Sequence, residues 1–291
     1  MFIDNPTVPI QLETLLDVLF EMRLKSANSE TIKSLLQPKG LPDVPTNRLQ
    51  ATNQLNGAKE LELINMEEGG DIRLSYVIRD GKPTPKEAIL EAFERRVLGS
   101  PDVEPWFGRL YSYVIAREGA IPSEGVARQI LSTEFNNSLP TDIERGNQLN
   151  STKLGQYLRW YSYVGLGWYD PSKRFILDPT ERLRRSLPSI FNGASSLDAA
   201  LFMTSLARTC PELDGGSLFK EVTSSNYDSL DRVCTKSLAM ALLNLHDDGH
   251  VELSRPVDSE GWSLEKGGAV SNNLQSHRFY RVALPSKQRR K

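Results

Sequence analysis

Apolar residues follow a pattern that occurs three times along the chain: a helix-spaced stripe, a tight turn and then an alternating segment typical of a β-strand. The clearest copy spans residues 242–253, where Val251 and Leu253 belong to the alternating part. Residues 55–63 hold the same spacing, and residues 158–169 form a looser copy. A winged helix-turn-helix unit ends in this way. The pattern predicts a helix-rich α+β fold of three tandem winged helix-turn-helix-like units with short antiparallel β wings.

Breaks in the pattern divide the chain into three winged-helix-like units, residues 1–82, 83–192 and 193–291. The first break is the stretch 79–85, which is rich in glycine and proline, and the second is 192–196. The third unit contains a long polar stretch, residues 254–277, which we interpret as a flexible wing tip. It ends in a basic tail at 286–291.

Helical spacing predicts most of the elements within these units. In the first unit one helix is marked by Leu12, Leu15, Leu16, Leu19 and Met22, and others cover residues 29–36 and the stretch through Leu49 and Leu55. In the other two units helices are predicted at 88–97, 106–116, 122–131, 152–164, 181–187, 199–207, 217–222 and 234–246. The wing strands are predicted at 61–64, 72–78, 174–177, 251–253 and 279–284.

Charge and composition limit the classes of function. The formal net charge is -2 over 291 residues, so any contact with DNA must come from local basic patches. No apolar run approaches the roughly 18–20 residues of a membrane span, and the first residues lack the features of a signal peptide. Cys210 and Cys234 are the two cysteines. We therefore expect a reduced, cytoplasmic protein without membrane contact.

Signatures of catalysis are missing, and we expect no enzyme, no cofactor and no metal site. The chain has no phosphate-binding loop, no dinucleotide-binding glycine motif and no cysteine-pair zinc site. His246 and His250 are four residues apart, but Gly249 lies where the helix should end, so we favour a solvated helix end with a left-handed glycine. Glu212 and Asp214 precede a glycine pair and are interpreted as part of a turn.

Two helical stretches without acidic residues are the strongest candidates for DNA contact. Residues 46–59 and 145–169 carry amide and basic side chains that reach phosphates and base edges from a helix in the major groove. The candidate residues are Arg48, Asn53, Lys59, Arg145, Lys153, Gln156 and Arg159. These stretches could equally be ordinary exposed helix faces. A second basic patch follows on the second wing and the next helix, at Lys173, Arg174, Arg182, Arg184 and Arg185.

The third unit differs in charge. Aspartates surround its last helix, at positions 228, 231, 247 and 248, and they would repel a phosphate backbone. We expect this unit to contact protein or simply to fold. Trp262 lies in the polar stretch 254–277 and is the candidate partner-binding residue, on the expectation that it is solvent-accessible. Folding of Trp262 back onto its own domain is the alternative.

Several segments carry a resemblance to a known family. They are Arg159-Trp160-Tyr161-Ser162-Tyr163-Val164-Gly165-Leu166-Gly167-Trp168, Asp178-Pro179-Thr180, Leu187-Pro188-Ser189-Ile190-Phe191 and Pro211-Glu212-Leu213-Asp214-Gly215-Gly216. Together they resemble the DpdG family of bacterial genomic islands that insert 7-deazaguanine derivatives into DNA and act as restriction–modification-type phage defence. The resemblance covers the C-terminal half to two thirds of the chain. It brings no catalytic residues, and it implies work beside helicase- and nuclease-like subunits.

These observations lead to one interpretation with two alternatives. The interpretation is a non-enzymatic DNA-binding or scaffolding subunit of a bacterial DNA-modification and anti-phage defence system. Its expected partners are double-stranded DNA and a larger helicase- or nuclease-type subunit of the same system. The alternatives are a stand-alone winged-helix transcription regulator, and a winged-helix accessory subunit of a condensin-like complex. The sequence leaves the oligomeric state open.

Overall fold

The computed structural model describes residues 6–21, 27–38, 40, 49–76, 83–99, 103–122, 125–139, 148–223, 232–254, 261–264 and 277–285. The helices are α1 (Pro9–Glu21), α2 (Ser29–Leu36), α3 (Leu49–Glu60), α4 (Pro85–Phe93), α5 (Pro105–Ala116), α6 (Val126–Ser138), α7 (Ser151–Tyr163), α8 (Thr180–Phe191), α9 (Ala199–Thr209), α10 (Ser217–Thr223) and α11 (Lys236–Asp247). A π-helical turn, Glu94–Leu98, continues α4.

The strands are short and lie between the helices. They are β1 (Ala27–Asn28), β2 (Ile64–Met66), β3 (Asp71–Leu74), β4 (Gly167–Tyr169), β5 (Phe175–Leu177), β6 (Ser196–Asp198), β7 (Glu252–Ser254), β8 (Trp262–Ser263), β9 (Arg278–Phe279) and β10 (Arg281–Ala283). Every pairing between these strands is antiparallel. The predicted helix-rich α+β fold with short antiparallel strands is therefore confirmed. Within the described ranges, no helix has the length and apolar content needed to cross a bilayer.

The first segment packs α1, α2 and α3 on a three-stranded sheet. The predicted stripe of α1 is buried at Leu12, Leu15, Leu16 and Leu19, while Met22 lies outside the described residues. The sheet has the order β1-β3-β2, with Ala27 opposite Ile72 and Ile64 opposite Leu74. Asn28 caps α2 by accepting a hydrogen bond from the Glu30 amide at 2.9 Å.

The helix α4 begins at a capping box. The Glu87 amide donates to the Thr84 hydroxyl at 3.3 Å, and the Thr84 amide donates to the Glu87 carboxylate at 2.8 Å. At the other end of α4, Phe93 stacks on Trp160 with ring centroids 4.8 Å apart. The capping box thus stabilises the N-terminal end of α4, and the stacking of Phe93 on Trp160 holds its C-terminal end.

The second segment contains α5, α6, α7 and the hairpin β4-β5. Ile121 forms a single antiparallel bridge with Phe175 of β5, and it thereby occupies the place of a first strand. In the hairpin Gly167 pairs with Leu177 and Trp168 with Ile176. The third segment begins at α8, which lies before the predicted boundary at residues 192–196, and continues through β6, α9, α10, α11 and the sheet β6-β10-β7.

All three segments share one order of elements. Each runs helix, strand or bridge, helix, helix, strand and strand, and the third adds α10 and the strands β8 and β9. In the sheets β1-β3-β2 and β6-β10-β7 the last strand lies between the first and the middle one, and β5 lies in the same way between the Ile121 bridge and β4. This common order accounts for the threefold repeat in the sequence, because each copied stretch covers the end of the last helix and the turn towards the next strand.

Contacts between residues divide the chain into two compact units. Unit 1 consists of Met1–Pro105 with Gly155–Trp160, and unit 2 consists of Trp106–Leu154 with Tyr161–Lys291. The three predicted segment boundaries are a finer division that this grouping does not test, and they stay predictions.

The polar stretch 254–277 differs from the predicted flexible tip in its described part. Trp262 and Ser263 form β8, which pairs with β9 so that Trp262 lies opposite Phe279. Ser263 also donates its amide to the Arg232 carbonyl at 2.7 Å. Trp262 is half-buried, so the expectation of an aromatic on an unstructured loop is wrong. Residues 255–260, 265–276 and the basic tail lie outside the described residues.

Candidate nucleic-acid interface

Of the residues of α3 predicted to contact DNA, few are exposed to solvent. Asn53 is 4% exposed, and the buried Thr7 hydroxyl donates to its backbone carbonyl at 3.3 Å. The expectation of an exposed, DNA-facing side chain is therefore wrong at Asn53. Lys59 lies exposed in the last turn. Arg48 lies outside the described residues.

Helix α7 is also largely enclosed. Lys153 is 9% exposed, and its ammonium group donates to the Gln148 carbonyl at 2.9 Å. An exposed phosphate contact at Lys153 is thus a wrong expectation, because its ammonium group is buried and engaged by the carbonyl of a residue just before the helix. Gln156 is half-buried, whereas Arg159 is exposed. Arg145 lies outside the described residues.

These helices are enclosed because many of their side chains are apolar or aromatic, and the same holds for α11, the last helix of the third segment. Tyr157, Trp160 and Tyr161 of α7 are fully buried. On α11, residues 237–239, 241–243 and 245 are buried as well. A helix that is covered on most sides offers a narrow strip of surface to a partner. Any groove-reading role for these helices is correspondingly restricted.

The wing of the second segment, residues 167–177, presents cations at its tip. Asp170 and Arg174 extend the β4-β5 ladder, since the Asp170 amide donates to the Arg174 carbonyl at 2.9 Å. Three residues connect them, and Lys173 adopts the left-handed conformation with φ 60. Three-residue hairpin loops usually place glycine at this left-handed position. Lys173 is exposed, so the tip displays an ammonium group where glycine would be the unstrained choice.

Arg174 is the second cation of the wing tip. Its guanidinium donates to the Asp170 carboxylate at 2.9 Å, and its amide donates to the same carboxylate at 2.8 Å. The side chain of Arg174 is 64% exposed. The Asp170 side chain is 10% exposed, so the carboxylate lies inside the turn while the guanidinium of Arg174 faces solvent.

The outer face of the wing carries an exposed aromatic ring. Side chains alternate along a strand, and Phe175 and Leu177 are buried, so Trp168 and Ile176 lie on the opposite, outer face. Trp168 is 47% exposed, and its Nε1–H donates to the Asp178 carboxylate at 3.3 Å. The adjacent Tyr169 is similarly exposed but packs edge-on against Phe175, with centroids 5.1 Å apart.

The cations predicted on α8 divide into two kinds. Arg184 is exposed and pairs with Glu181 at 2.6 Å. The Arg184 guanidinium holds the pKa of the Glu181 carboxyl below its usual range. Arg185 is half-buried and donates to the Val164 carbonyl at 2.5 Å. Arg182 is 2% exposed, so it does not belong to the surface patch.

Arg182 instead centres a buried polar network that sequence reasoning missed. Its Nε donates to Glu212 Oε1 at 3.0 Å, its Nη1 to the Ser186 hydroxyl at 2.5 Å and its Nη2 to the Thr209 carbonyl at 3.2 Å. Ser112 of α5 donates to the Glu212 carbonyl at 2.8 Å. The signal available in the sequence was the position of Arg182 one turn before Ser186 on the apolar side of α8.

The turn after α9 places a second carboxylate inside the fold. Asp214 is 1% exposed and accepts from the Thr235 amide at 2.7 Å and the Thr235 hydroxyl at 2.8 Å. The prediction of a turn at Glu212 and Asp214 is confirmed, and both acids hold neighbouring elements together. Burial raises the pKa of the adjacent Cys234 thiol well above its usual value.

The histidine pair behaves as a helix end. Gly249 has φ 70, and the His250 amide donates to the Leu245 carbonyl at 2.8 Å, as in a left-handed helix cap. His246 Nδ1 lies 3.3 Å from the Leu253 amide, which donates to it. Across the described ranges, no group of three or more histidine, cysteine or acidic side chains could hold a metal ion.

Fold and surface together define a helix-rich α+β protein in which short antiparallel strand pairs follow largely buried helices. The chain belongs to the DpdG-like family, whose model matches residues 3–259. The resemblance carried by the second and third segments is thereby confirmed and extends to the first. Membership implies involvement in the Dpd DNA-modification and defence system. The chain matches no curated protein and no solved structure.

Proposed function

We propose that this protein is a non-enzymatic, cytoplasmic subunit of the Dpd system that binds double-stranded DNA weakly and holds a larger helicase- or nuclease-type subunit on it. In this proposal each of the three segments is a winged helix. The common order of elements supports this assignment, as does the position of the last strand between the other two in each sheet.

The observation that carries DNA binding is the tip of the β4-β5 wing. Lys173 holds a left-handed conformation that costs a residue with a side chain about 1–2 kcal/mol. A strained residue that glycine could replace is a sign of function. Lys173 and Arg174 project there as exposed cations, which suits contact with phosphates.

The burial of α3 and α7 favours one kind of binding. Because Asn53 and Lys153 are enclosed, base edges are not the main target, and affinity comes from the phosphate backbone. Such binding depends on released counterions and is sequence-independent. An overall charge of -2 keeps it weak.

Replacement of Lys173 by glycine tests the proposal, because it separates binding from folding. Lys173→Gly relieves the left-handed strain, so the hairpin should be as stable as before or more stable. Duplex affinity should fall, and the slope of log K against log salt should decrease by about one, as expected for one lost phosphate contact. Fluorescence anisotropy with a labelled duplex between about 50 and 200 mM salt measures both quantities.

Asn192→Gly is the matched control. Asn192 is exposed, also left-handed at φ 45, and uncharged, so its replacement relieves the same strain without removing a cation. It should leave DNA binding unchanged. Equal affinity and equal salt slope for Lys173→Gly and the wild type would refute the wing as the contact.

The scaffolding role has its own test. A subunit of an assembly should co-purify with a larger protein of the same system, whereas a stand-alone regulator should form a symmetric dimer and protect a palindromic site. Purification of the tagged protein together with the system, followed by mass measurement and footprinting, distinguishes the two. A symmetric dimer with a protected palindrome would favour the regulator.

A further inference from the structure

The outer face of the β4-β5 wing displays a tryptophan that the fold does not need to expose. Trp106 and Trp160 are buried and Trp262 is half-buried, whereas Trp168 is 47% exposed. A large ring left half in water at the edge of a small hairpin is a typical contact residue for a partner.

The indole of Trp168 is held in one orientation. Its single polar atom, Nε1, is engaged by the Asp178 carboxylate at 3.3 Å. That carboxylate is itself fixed, because the Thr180 amide donates to it at 3.0 Å and the Thr180 hydroxyl at 2.5 Å. The exposed part of the ring is therefore carbon surface, oriented in advance, and little conformational entropy would be lost on binding.

Cations border this ring and the nearby acids are already engaged. Arg174 shares the outer face with Trp168 by strand alternation, and Lys173 lies at the same tip. Asp170 is bonded to Arg174, and Asp178 is bonded to Thr180 and Trp168. An aromatic platform beside exposed cations is the arrangement that receives a stacked base and its phosphate.

We propose that Trp168 stacks on an unpaired base, so that the wing prefers DNA with a single-stranded portion over fully paired DNA. This inference rests on the proposed binding of phosphates by Lys173 and Arg174. Double-stranded DNA supplies the phosphates but keeps its bases stacked on one another. A junction between paired and unpaired DNA satisfies both features of the wing.

Two labelled probes test the inference: a blunt duplex, and the same duplex with an unpaired oligothymidine extension. The wild type should bind the extended probe more tightly. Trp168→Ala should lose about 5- to 150-fold in affinity for the extended probe, the equivalent of 1–3 kcal/mol per stacked base, and almost nothing for the blunt duplex. Trp168→Phe keeps a ring and should recover part of the loss.

Tyr169→Ala is the matched control within the same strand. It removes a ring of equal exposure, 46%, from the other face of the hairpin, so the preference for the extended probe should remain. Tryptophan emission supplies a readout that does not depend on the alanine variant. Oligothymidine should quench it in the wild type and not in Trp168→Phe.

The results distinguish base stacking by Trp168 from the proposed binding of phosphates by Lys173 and Arg174. Equal affinity for both probes, with binding still lost in Lys173→Gly, would overturn stacking and leave phosphate binding intact. Absence of binding to either probe at low salt would overturn both. Unchanged DNA binding in Trp168→Ala together with lost co-purification of a larger subunit would assign the ring to a protein partner and contradict the inference.

Discussion

Breaking the buried ion pair of Arg182 should destabilise unit 2 far more than breaking a neighbouring pair on the same helix. The Arg182 and Glu212 side chains are 2% and 0% exposed and lie 3.0 Å apart. Replacement of Arg182 by methionine leaves the Glu212 carboxylate buried without its cation and also removes donors to Ser186 and Thr209. Loss of one partner of a buried pair costs about 3–5 kcal/mol.

The size of unit 2 converts this loss into a shift of the melting temperature. For 150–250 residues, 1 kcal/mol corresponds to about 2–4 °C. Arg182→Met should therefore lower Tm by about 6–20 °C. Thermal and urea unfolding followed by circular dichroism measure the shift and the free energy of unfolding.

A control lies half a turn further along α8. The Arg184 and Glu181 side chains are 43% and 56% exposed at 2.6 Å, and exposed pairs contribute about 0–1 kcal/mol. Arg184→Met should thus change Tm by no more than a few degrees, by the same conversion. The double variant Arg182→Met/Glu212→Leu should recover part of the loss, since no unpaired charge then remains buried. Equal stability losses in Arg182→Met and Arg184→Met would show that the reasoning is wrong.

Two further predictions concern packing. Gly57→Ala should destabilise unit 1 by about 1–3 kcal/mol, although alanine has the better helix propensity, because the new Cβ would lie 2.5 Å from the buried Thr7 hydroxyl oxygen. Urea unfolding measures the loss, and the free energy of unfolding of Asn56→Ala, on the same helix, should stay near that of the wild type. Cys234 should resist a thiol reagent at neutral pH until the protein unfolds, because burial raises the pKa of its thiol and the thiolate is the reactive form; labelling of native Cys234 at the rate of a free thiol would contradict this.

The apolar pattern was sufficient for most helices because their buried residues recur at helical spacing, whether one side or most sides are covered. The stripe of α1 and the αL position of Gly249 are readable from spacing and residue type alone. The two-residue strand β1 and the single bridge at Ile121 were not readable, since neither is long enough to show an alternation. Such short strands are defined only by their hydrogen bonds to strands that are distant in the sequence.

The candidate site was harder to predict than the fold. Asn53 and Lys153 have side chains suited to DNA, but Asn53 is buried at 4% exposure, and the Lys153 ammonium group donates to the nearby Gln148 carbonyl. A polar side chain can form hydrogen bonds, but its polarity does not show whether it faces solvent or is enclosed within the fold. Lys173 was found from charge alone, while its left-handed backbone, which makes it informative, emerged only with the structure.

The discontinuity of unit 1 has a consequence for how the protein is made. Trp160 donates its ring N–H to the Thr7 carbonyl at 2.8 Å, and Tyr157 donates to Glu104 at 2.5 Å, so Met1–Pro105 is completed by Gly155–Trp160. A nascent chain on the ribosome that has reached Pro105 still lacks these two residues. Multidomain chains usually fold from the N-terminus as they are synthesised. We therefore expect the first unit to complete its core only after residues 155–160 of α7 have been synthesised.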